Sequence, residues 1–278
     1  MTSLEAAVQG IIQGVTEFLP ISSSGHLAIA QHFFGIKENN MAFNVALHVG
    51  TLFSVVAVYH ELIFKLIVSF FTSLWKFFSG KKRNDSEQIF VNLLVSVIPL
   101  FLIFLPFPKF NNIKSIADSF ANNPNMKFVG FAMIFTGILL FISVFASKKA
   151  NRQIGKMSAG DSFCIGIAQF VAAIFPGLSR SGSTFSIGVL RGVEKQSALD
   201  FSFIMGIPAI AAAAVLELRE VYSAKIVIEA APIIVGMLAS MVVGFFSIKA
   251  LSWIIKTNGM WVFSVYALFL GTILVFFV

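Results

Sequence analysis

The sequence predicts an all-α integral membrane protein of about ten helical segments: six spanning helices plus two re-entrant helical hairpins, in two inverted-topology repeats. Of its 278 residues, 57% are hydrophobic and only 12% are charged, whereas a soluble domain carries roughly 25% charged residues. Several apolar stretches approach the roughly 20 residues that a bilayer requires. A third observation, a repeated pair of short interrupted segments, predicts the internal symmetry.

Six apolar segments are long enough to cross a bilayer. A further apolar stretch, 61–78, carries Glu61, Lys65 and Lys76, so we interpret it as an interfacial extension of the span before it. The six predicted spans are roughly 43–60, 88–107, 128–147, 200–217, 227–248 and 258–278.

Four other segments are too short or too polar to span, and they occur as two pairs, each interrupted by a loop rich in Gly, Pro and Ser. These pairs predict re-entrant hairpins at 4–36 and 162–192, because irregular backbone survives at membrane depth only where protein or a cavity surrounds it. The two pairs resemble each other. GIIQGVTEFLP at 10–20 and GIAQFVAAIFP at 166–176 share Gly, Gln and Pro in phase.

This match predicts a single membrane domain, 1–278, made of two half-repeats, 1–147 and 148–278. Short loops rich in Lys and Arg usually lie in the cytoplasm. The loops 61–87 and 148–161 are the richest in these residues, so we expect both on the cytoplasmic side. The first hairpin then enters from outside and the second from inside, with their loops meeting near the midplane.

The first hairpin brings ionisable and hydroxyl side chains to membrane depth, where such groups are costly and usually functional. Gln13 and Glu17 are four residues apart and share one helix face. The serines after them also suit a helix cap. The loop supplies Ser22, Ser23, Ser24, Gly25 and His26.

The second hairpin supplies a loop suited to an anion. Glycines let the backbone approach a ligand closely, and the following helix directs its positive N-terminus at the loop. Arg180 adds a planar fork that matches phosphate oxygens. The candidate residues in this loop are Gly177, Ser179, Arg180, Ser181 and Gly182.

Two function classes fit these two loops. An anion transporter or lipid flippase would use the helix N-termini and Arg180, and broken helices in inverted repeats are typical of transporters. Such a protein has little use for Glu17 beside His26 unless protons are coupled. A phosphohydrolase uses all of them, because it needs a cation to hold charge, a nucleophile and a group that manages protons. We therefore expect a phosphohydrolase.

The stretch QGVTEFLPISSSGH, together with PGLSRSG, closely resembles the undecaprenyl-diphosphate phosphatases of bacteria, also called the bacitracin-resistance protein family. The resemblance covers essentially the whole chain, and Gln13 and Glu17 match the family's Glu/Gln-x-x-x-Glu motif. It implies hydrolysis of a C55 polyprenyl diphosphate to the monophosphate and inorganic phosphate. It also implies a divalent cation, Mg²⁺ or Ca²⁺, bacitracin resistance, and a multi-pass location in the bacterial inner membrane.

On this basis we expect Arg180 to bind the diphosphate, helped by Ser179, Ser181 and loop amides. Glu17, with Gln13, is expected to orient a metal ion or water. Ser23 is the preferred nucleophile with His26 as its base, and a directly attacking water or histidine remains an alternative.

The remaining polar residues receive weaker interpretations. His48 lies at membrane depth and is a candidate supporting residue, whereas His32 and His60 are expected at the interface. Gln169 is the repeat counterpart of Gln13, but Ala173 stands where Glu17 would recur. The single cysteine, Cys164, excludes an intramolecular disulfide. The net charge of +7 fits anionic lipid better than nucleic acid.

Overall fold

The computed structural model describes residues 1–35, 41–79, 83–105, 113–122, 125–223 and 230–277, and these residues form helices and connecting turns without a strand. Two 3₁₀ segments, Ile98–Phe104 and Ile154–Lys156, complete the architecture. In chain order the helices are α1 (Ser3–Thr16), α2 (Ser23–Phe33), α3 (Met41–Ser79), α4 (Asp85–Val97), α5 (Ile113–Asn122), α6 (Met126–Ala146), α7 (Ala159–Ile174), α8 (Arg180–Leu190), α9 (Lys195–Ser223), α10 (Ala230–Lys256) and α11 (Trp261–Phe277). The predicted all-α membrane fold is confirmed.

Five helical segments of the described chain are long and apolar enough to cross a bilayer, which makes this a multi-pass membrane protein. The sixth predicted span corresponds to α11, an apolar helix of 17 residues. The predicted span ends at 106–107, 227–229 and 278 lie outside the described residues. The five segments are Ala42–Ser73, Asp85–Phe104, Met126–Ala146, Lys195–Leu216 and Ala230–Lys256.

α3 is kinked at the predicted end of the first span. Its backbone is non-helical at Tyr59 (φ −104°, ψ 19°), and a second helical part continues from there to Ser79, over the stretch predicted as an extension. The Tyr59 hydroxyl donates to Asp200 Oδ1 at 2.8 Å, which ties this break to α9. α5 was not predicted, because its short polar sequence resembles a connecting loop.

Both predicted hairpins are present as pairs of short helices. α1 and α2 meet around Pro20, and α7 and α8 meet around Pro176. α2 and α8 have 11 residues each, so each is about 16 Å long, roughly half the bilayer core. Both helices therefore begin partway through the protein rather than at its surface.

The hairpins pack on helices from the opposite half of the chain. α1 lies against α10, where Gly10 approaches Gly236 and Gly14 approaches Ser240 and Gly244. α7 lies against α4 in the same way, with Gly166 beside the Ser96 carbonyl. α3 packs on α9, and α6 packs on α11. This exchange of partners fits two related halves, whose inverted orientation stays a prediction.

Candidate active site

A cavity of about 410 Å³ lies between the two hairpin loops. Residues from both loops supply most of the polar part of its lining. The 3₁₀ segment after α4 and the middle of α9 supply most of the apolar part. The polar lining is Thr16, Glu17, Ser22, Ser23, Ser24, His48, Gln169, Ser179, Arg180 and Ser181. The apolar lining includes Val97, Leu100, Phe101, Ile103, Phe104, Ala209, Ile210, Ala213 and Leu216.

Glu17 contacts two other polar residues of the cavity lining, Arg180 and Ser23. It follows the last turn of α1 and is 7% exposed. Its Oε1 accepts a hydrogen bond from Arg180, which forms an ion pair between the two hairpins. Its Oε2 accepts from the Ser23 hydroxyl at 2.7 Å and from Gln13 Nε2 at 3.0 Å. A buried carboxylate needs such partners, and here they are two candidate binding groups and one candidate nucleophile.

The contacts of the Gln13 amide indicate which ring nitrogen of His48 carries the proton. Gln13 Nε2 lies 3.0 Å from His48 Nδ1 and 3.0 Å from Glu17 Oε2. Reversing the amide would place its oxygen against the Glu17 carboxylate, so the nitrogen faces both groups. An amide nitrogen only donates, so His48 Nδ1 accepts and the neutral ring carries its proton on Nε2. The 3.7 Å approach of Nδ1 to Glu17 is then not an ion pair.

The Arg180 guanidinium packs against α9 in addition to forming its ion pair with Glu17. Arg180 is the first residue of α8, and its guanidinium lies directly against Gly206 of α9. A Cβ atom at position 206 would overlap the guanidinium, so only glycine leaves room for this placement. On its way to Glu17 the Arg180 side chain therefore passes a position of α9 where a side chain would overlap its guanidinium.

The two loops enter their helices in the same way. Ser22 Oγ accepts from Gly25 N at 3.2 Å, and Ser179 Oγ accepts from Gly182 N at 3.1 Å, so each serine is an N-cap. Ser23 and Arg180 are the first residues after these caps, and both contact Glu17. The N-termini of α2 and α8 thus approach one carboxylate from opposite halves, and both bring positive potential to the cavity.

The amides of the three predicted loop glycines donate to serine hydroxyls. The Gly25 and Gly182 amides donate to the N-cap serine of their own loop, and the Gly177 amide donates to Ser24 Oγ at 3.2 Å. Gly177 also has a φ of +90°, which favours glycine. None of the three lines the cavity. The Gly177 amide therefore joins the two loops, and a role of these glycines in binding an anion stays a prediction.

His26 contacts groups other than Ser23 in this structure. Its Nδ1 lies 2.7 Å from the Ser22 carbonyl, which only accepts, so Nδ1 carries the proton. Its Nε2 lies 2.7 Å from the Tyr266 hydroxyl. His26 lies outside the cavity lining, and Ser23 contacts Glu17. The expected role of His26 as the base for Ser23 stays a prediction, and its contact in the structure is with Ser22, a residue with a φ of +75°.

The sequence analysis predicted one residue of the cavity lining only as a supporting residue and did not predict another. His48 stands beside Glu17 and Gln13, as its membrane depth suggested. Thr16 lines the cavity but is an ordinary helix residue in sequence, and its hydroxyl donates to the Ile12 carbonyl at 2.7 Å. His32 and His60 are absent from the lining, as expected of interfacial residues.

A divalent cation fits this site only as a partner of a bound phosphate. Among the described residues no three His, Cys, Asp or Glu side chains converge to form a metal site. Glu17 is the one carboxylate of the lining, and Gln13, which lies outside the lining, turns its nitrogen rather than its oxygen to Glu17. Mg²⁺ is commonly held by one or two carboxylates together with substrate phosphates. Glu17 would be its protein ligand.

A second ion cluster fixes the far end of the α7–α8 hairpin. Asp161, in the first turn of α7, accepts from Arg152 at 2.7 Å and from Arg191, just after α8, at 3.0 Å. Burial raises the pKa of Asp161, but the hydrogen bonds from Arg152, Ser158 and Arg191 lower it overall, to about 2. This carboxylate lies outside the five spanning segments. It joins the start of α7 to the end of α8, the helix that begins with Arg180.

The chain resembles known proteins over its whole length. The family model described as "Bacitracin resistance protein BacA" matches residues 6–273. An undecaprenyl-diphosphatase of Alkaliphilus metalliredigens is 37% identical, with 100% of this chain and 99% of that protein covered. An undecaprenyl-diphosphatase of Bacteroides thetaiotaomicron is 36% identical, with 98% of this chain and 97% of that protein covered. An undecaprenyl-diphosphatase of Moorella thermoacetica is 34% identical, with 99% of this chain and 97% of that protein covered.

Proposed function

Because this chain belongs to the bacitracin resistance protein family, we propose that it hydrolyses undecaprenyl diphosphate to undecaprenyl phosphate and inorganic phosphate. One observation supports this proposal above all others: Glu17 accepts hydrogen bonds from both Arg180 and the Ser23 hydroxyl, in a cavity that also has an extensive apolar lining. That combination offers an anion clamp, a nucleophile and its base to a phosphate that carries a lipid.

The cavity accommodates the two parts of such a substrate separately. The diphosphate would contact the polar part of the lining, where Arg180 and the N-termini of α2 and α8 attract negative charge. The first isoprene units would lie along the apolar wall formed by Leu100, Phe104 and Ile210. Arg180 is paired with Glu17 before substrate arrives, so the terminal phosphate competes for, or shares, the guanidinium.

The contacts of Glu17 favour it as the base for Ser23. The Ser23 hydroxyl already donates to Glu17 Oε2 at 2.7 Å, within the distance for general-base catalysis. As Ser23 Oγ forms a bond to the terminal phosphorus, its proton passes to Glu17 and the bond from that phosphorus to the bridging oxygen breaks. Undecaprenyl phosphate leaves with the proton that Glu17 returns.

Hydrolysis of the phosphoserine completes the reaction. Glu17 accepts a proton from water, the water oxygen bonds to phosphorus, and the bond to Ser23 Oγ breaks. Ser23 Oγ takes the proton back, and inorganic phosphate leaves. Arg180 stabilises the charge on the phosphoryl oxygens in both steps. A water attacking directly would use the same base, and His26 contacts Ser22 and Tyr266 rather than Ser23.

A divalent cation, Mg²⁺ or Ca²⁺, belongs to the same proposal. When bound, it would neutralise charge on the diphosphate oxygens. Glu17 would hold it, and Gln13, which donates to Glu17 Oε2, would orient that carboxylate. The position of Glu17 as the one carboxylate of the cavity lining supports this assignment.

The same proposal places the protein in the bacterial inner membrane, where this turnover would recycle the lipid carrier for cell-wall synthesis. High levels of the protein would then protect against bacitracin. Its partners would be the polyprenyl diphosphate and the surrounding membrane lipids.

The decisive experiment measures phosphate release from undecaprenyl diphosphate by protein purified in detergent, with Mg²⁺, with Ca²⁺ and with chelator. We expect one phosphate per lipid in the presence of a cation. Ser23→Ala should reduce release at least a hundredfold, and acid quenching of the wild type should trap phosphate on Ser23. Release by Ser23→Ala at near-normal rate would assign the attack to water. No release with any cation, together with lipid translocation in vesicles, would replace the phosphatase with a flippase.

A further inference from the structure

The amide of Gln169 is a buried polar group without a partner. Gln169 lies on α7, contributes to the cavity lining and is 1% exposed. Neither its Nε2 nor its Oε1 has a hydrogen-bond partner in the part of the chain that the structure describes. Leaving an amide unsatisfied in this way costs free energy. A ligand of the cavity would remove that cost.

The predicted repeat offers a reason why Gln169 has no partner. In the first half, the counterpart Gln13 donates to Glu17 and contacts His48. In the second half, Ala173 stands where Glu17 would recur. Alanine has no acceptor to offer to the Gln169 amide.

The positions of its neighbours indicate which part of the substrate would meet Gln169. Glu17, Ser23 and Arg180 are assigned to the terminal phosphate, which is cleaved. The apolar wall that would receive the lipid includes Leu100, on the 3₁₀ segment against which α7 packs. Gln169 is on α7 and lines the same cavity. The group between the cleaved phosphate and the lipid is the phosphate that stays on the product.

We propose that Gln169 binds the lipid-linked phosphate, the one retained in undecaprenyl phosphate, and so positions the diphosphate along the cavity. This inference rests on the proposed function. The side chain turns its Nε2 to a phosphate oxygen when lipid is bound. A neutral amide suits this task, because it orients the retained phosphate without the charge that would hold the product strongly.

The test uses Gln169→Met, which keeps the volume and removes the amide. Gln9→Met is the matched control, because Gln9 is also 1% exposed but has hydrogen-bond partners and does not line the cavity. The measurements are the Kd for undecaprenyl phosphate, KM and kcat for undecaprenyl diphosphate, inhibition by inorganic phosphate, and the thermal unfolding temperature.

We expect Gln169→Met to raise the product Kd and the substrate KM about tenfold to a hundredfold, the scale of a hydrogen bond to a charged group. kcat and inhibition by inorganic phosphate should change less than about threefold. The unfolding temperature should stay equal or rise, because an unpartnered amide has been replaced by an apolar group. Gln9→Met should instead lower the unfolding temperature and leave the product Kd unchanged.

Three results would overturn the inference: a product Kd within about twofold of wild type, weakened inhibition by inorganic phosphate with an unchanged product Kd, or a loss of unfolding temperature matching that of Gln9→Met. Failure of the proposed function is a separate result, namely no phosphate release by the wild type. Binding of undecaprenyl phosphate would still test Gln169 in that case.

Discussion

Arg180→Lys separates a phosphate clamp from a simple positive charge. Arg180 pairs with Glu17 and lies against Gly206, so its guanidinium is oriented before substrate arrives. Lysine keeps the charge but replaces the planar fork with a single ammonium group. The substitution should cost at least one charge-assisted hydrogen bond to phosphate, roughly 1.5–3 kcal/mol. This corresponds to a loss of about tenfold to a hundredfold in kcat/KM.

The loss should appear in both kinetic constants, because negative charge on the phosphoryl oxygens is spread further in the transition state than in the ground state. The assay is phosphate release at saturating and limiting undecaprenyl diphosphate. Arg83→Lys is the control, since Arg83 is exposed and distant in sequence from both loops. It should behave as wild type.

Retention of more than about half of wild-type kcat/KM by Arg180→Lys would refute the clamp. The ion pair with Glu17 would then be the main role of Arg180, and the second hairpin would be a packing element. Ser179→Ala gives the internal scale, because it removes an uncharged hydroxyl and should cost less than Arg180→Lys.

Three further predictions use other parts of the molecule. Gly206→Ala should lower kcat/KM about tenfold or more without removing any charge, because its Cβ overlaps the Arg180 guanidinium; normal kinetics would mean that this packing is irrelevant. The depressed pKa of Asp161, about 2 against an ordinary 3.8, should contribute about 2 kcal/mol of stability above pH 4 that disappears as the pH falls toward 2; thermal unfolding of Asp161→Asn should lose this pH dependence. In a Cys164→Ala background, a cysteine at Lys149 should resist impermeant labelling from outside and one at Asn125 should react; the reverse would invert the predicted orientation.

Much of this fold follows from patterns that physical chemistry makes visible in a sequence. Apolar length predicted the long helices, and the interrupted pairs predicted both hairpins, because each signal depends only on local composition. α5 was missed, since its ten residues lack the length of a span. The stretch beyond Tyr59 was predicted as a separate extension because of its charges, and the structure has a kink at Tyr59 where that stretch begins.

The site was predictable as a set of residues but not as a set of contacts. The repeated hairpins predicted that the loops carrying Glu17 and Arg180 meet, and in the structure these two residues form an ion pair. It could not show that Ser23 faces Glu17 while His26 faces Ser22 and Tyr266, since that choice depends on the direction in which α2 leaves its cap. Nor could it show that the loop glycine amides are already occupied.

The two hairpins bring different chemical groups to one cavity. Glu17 belongs to the first hairpin, and the second has Ala173 at the place predicted to correspond to it. Arg180 follows the second N-cap where Ser23 follows the first, and Gly206 leaves room for its guanidinium. A second carboxylate beside Glu17 would add negative charge and repel a diphosphate. The proposed site therefore combines one base, one nucleophile and one cation.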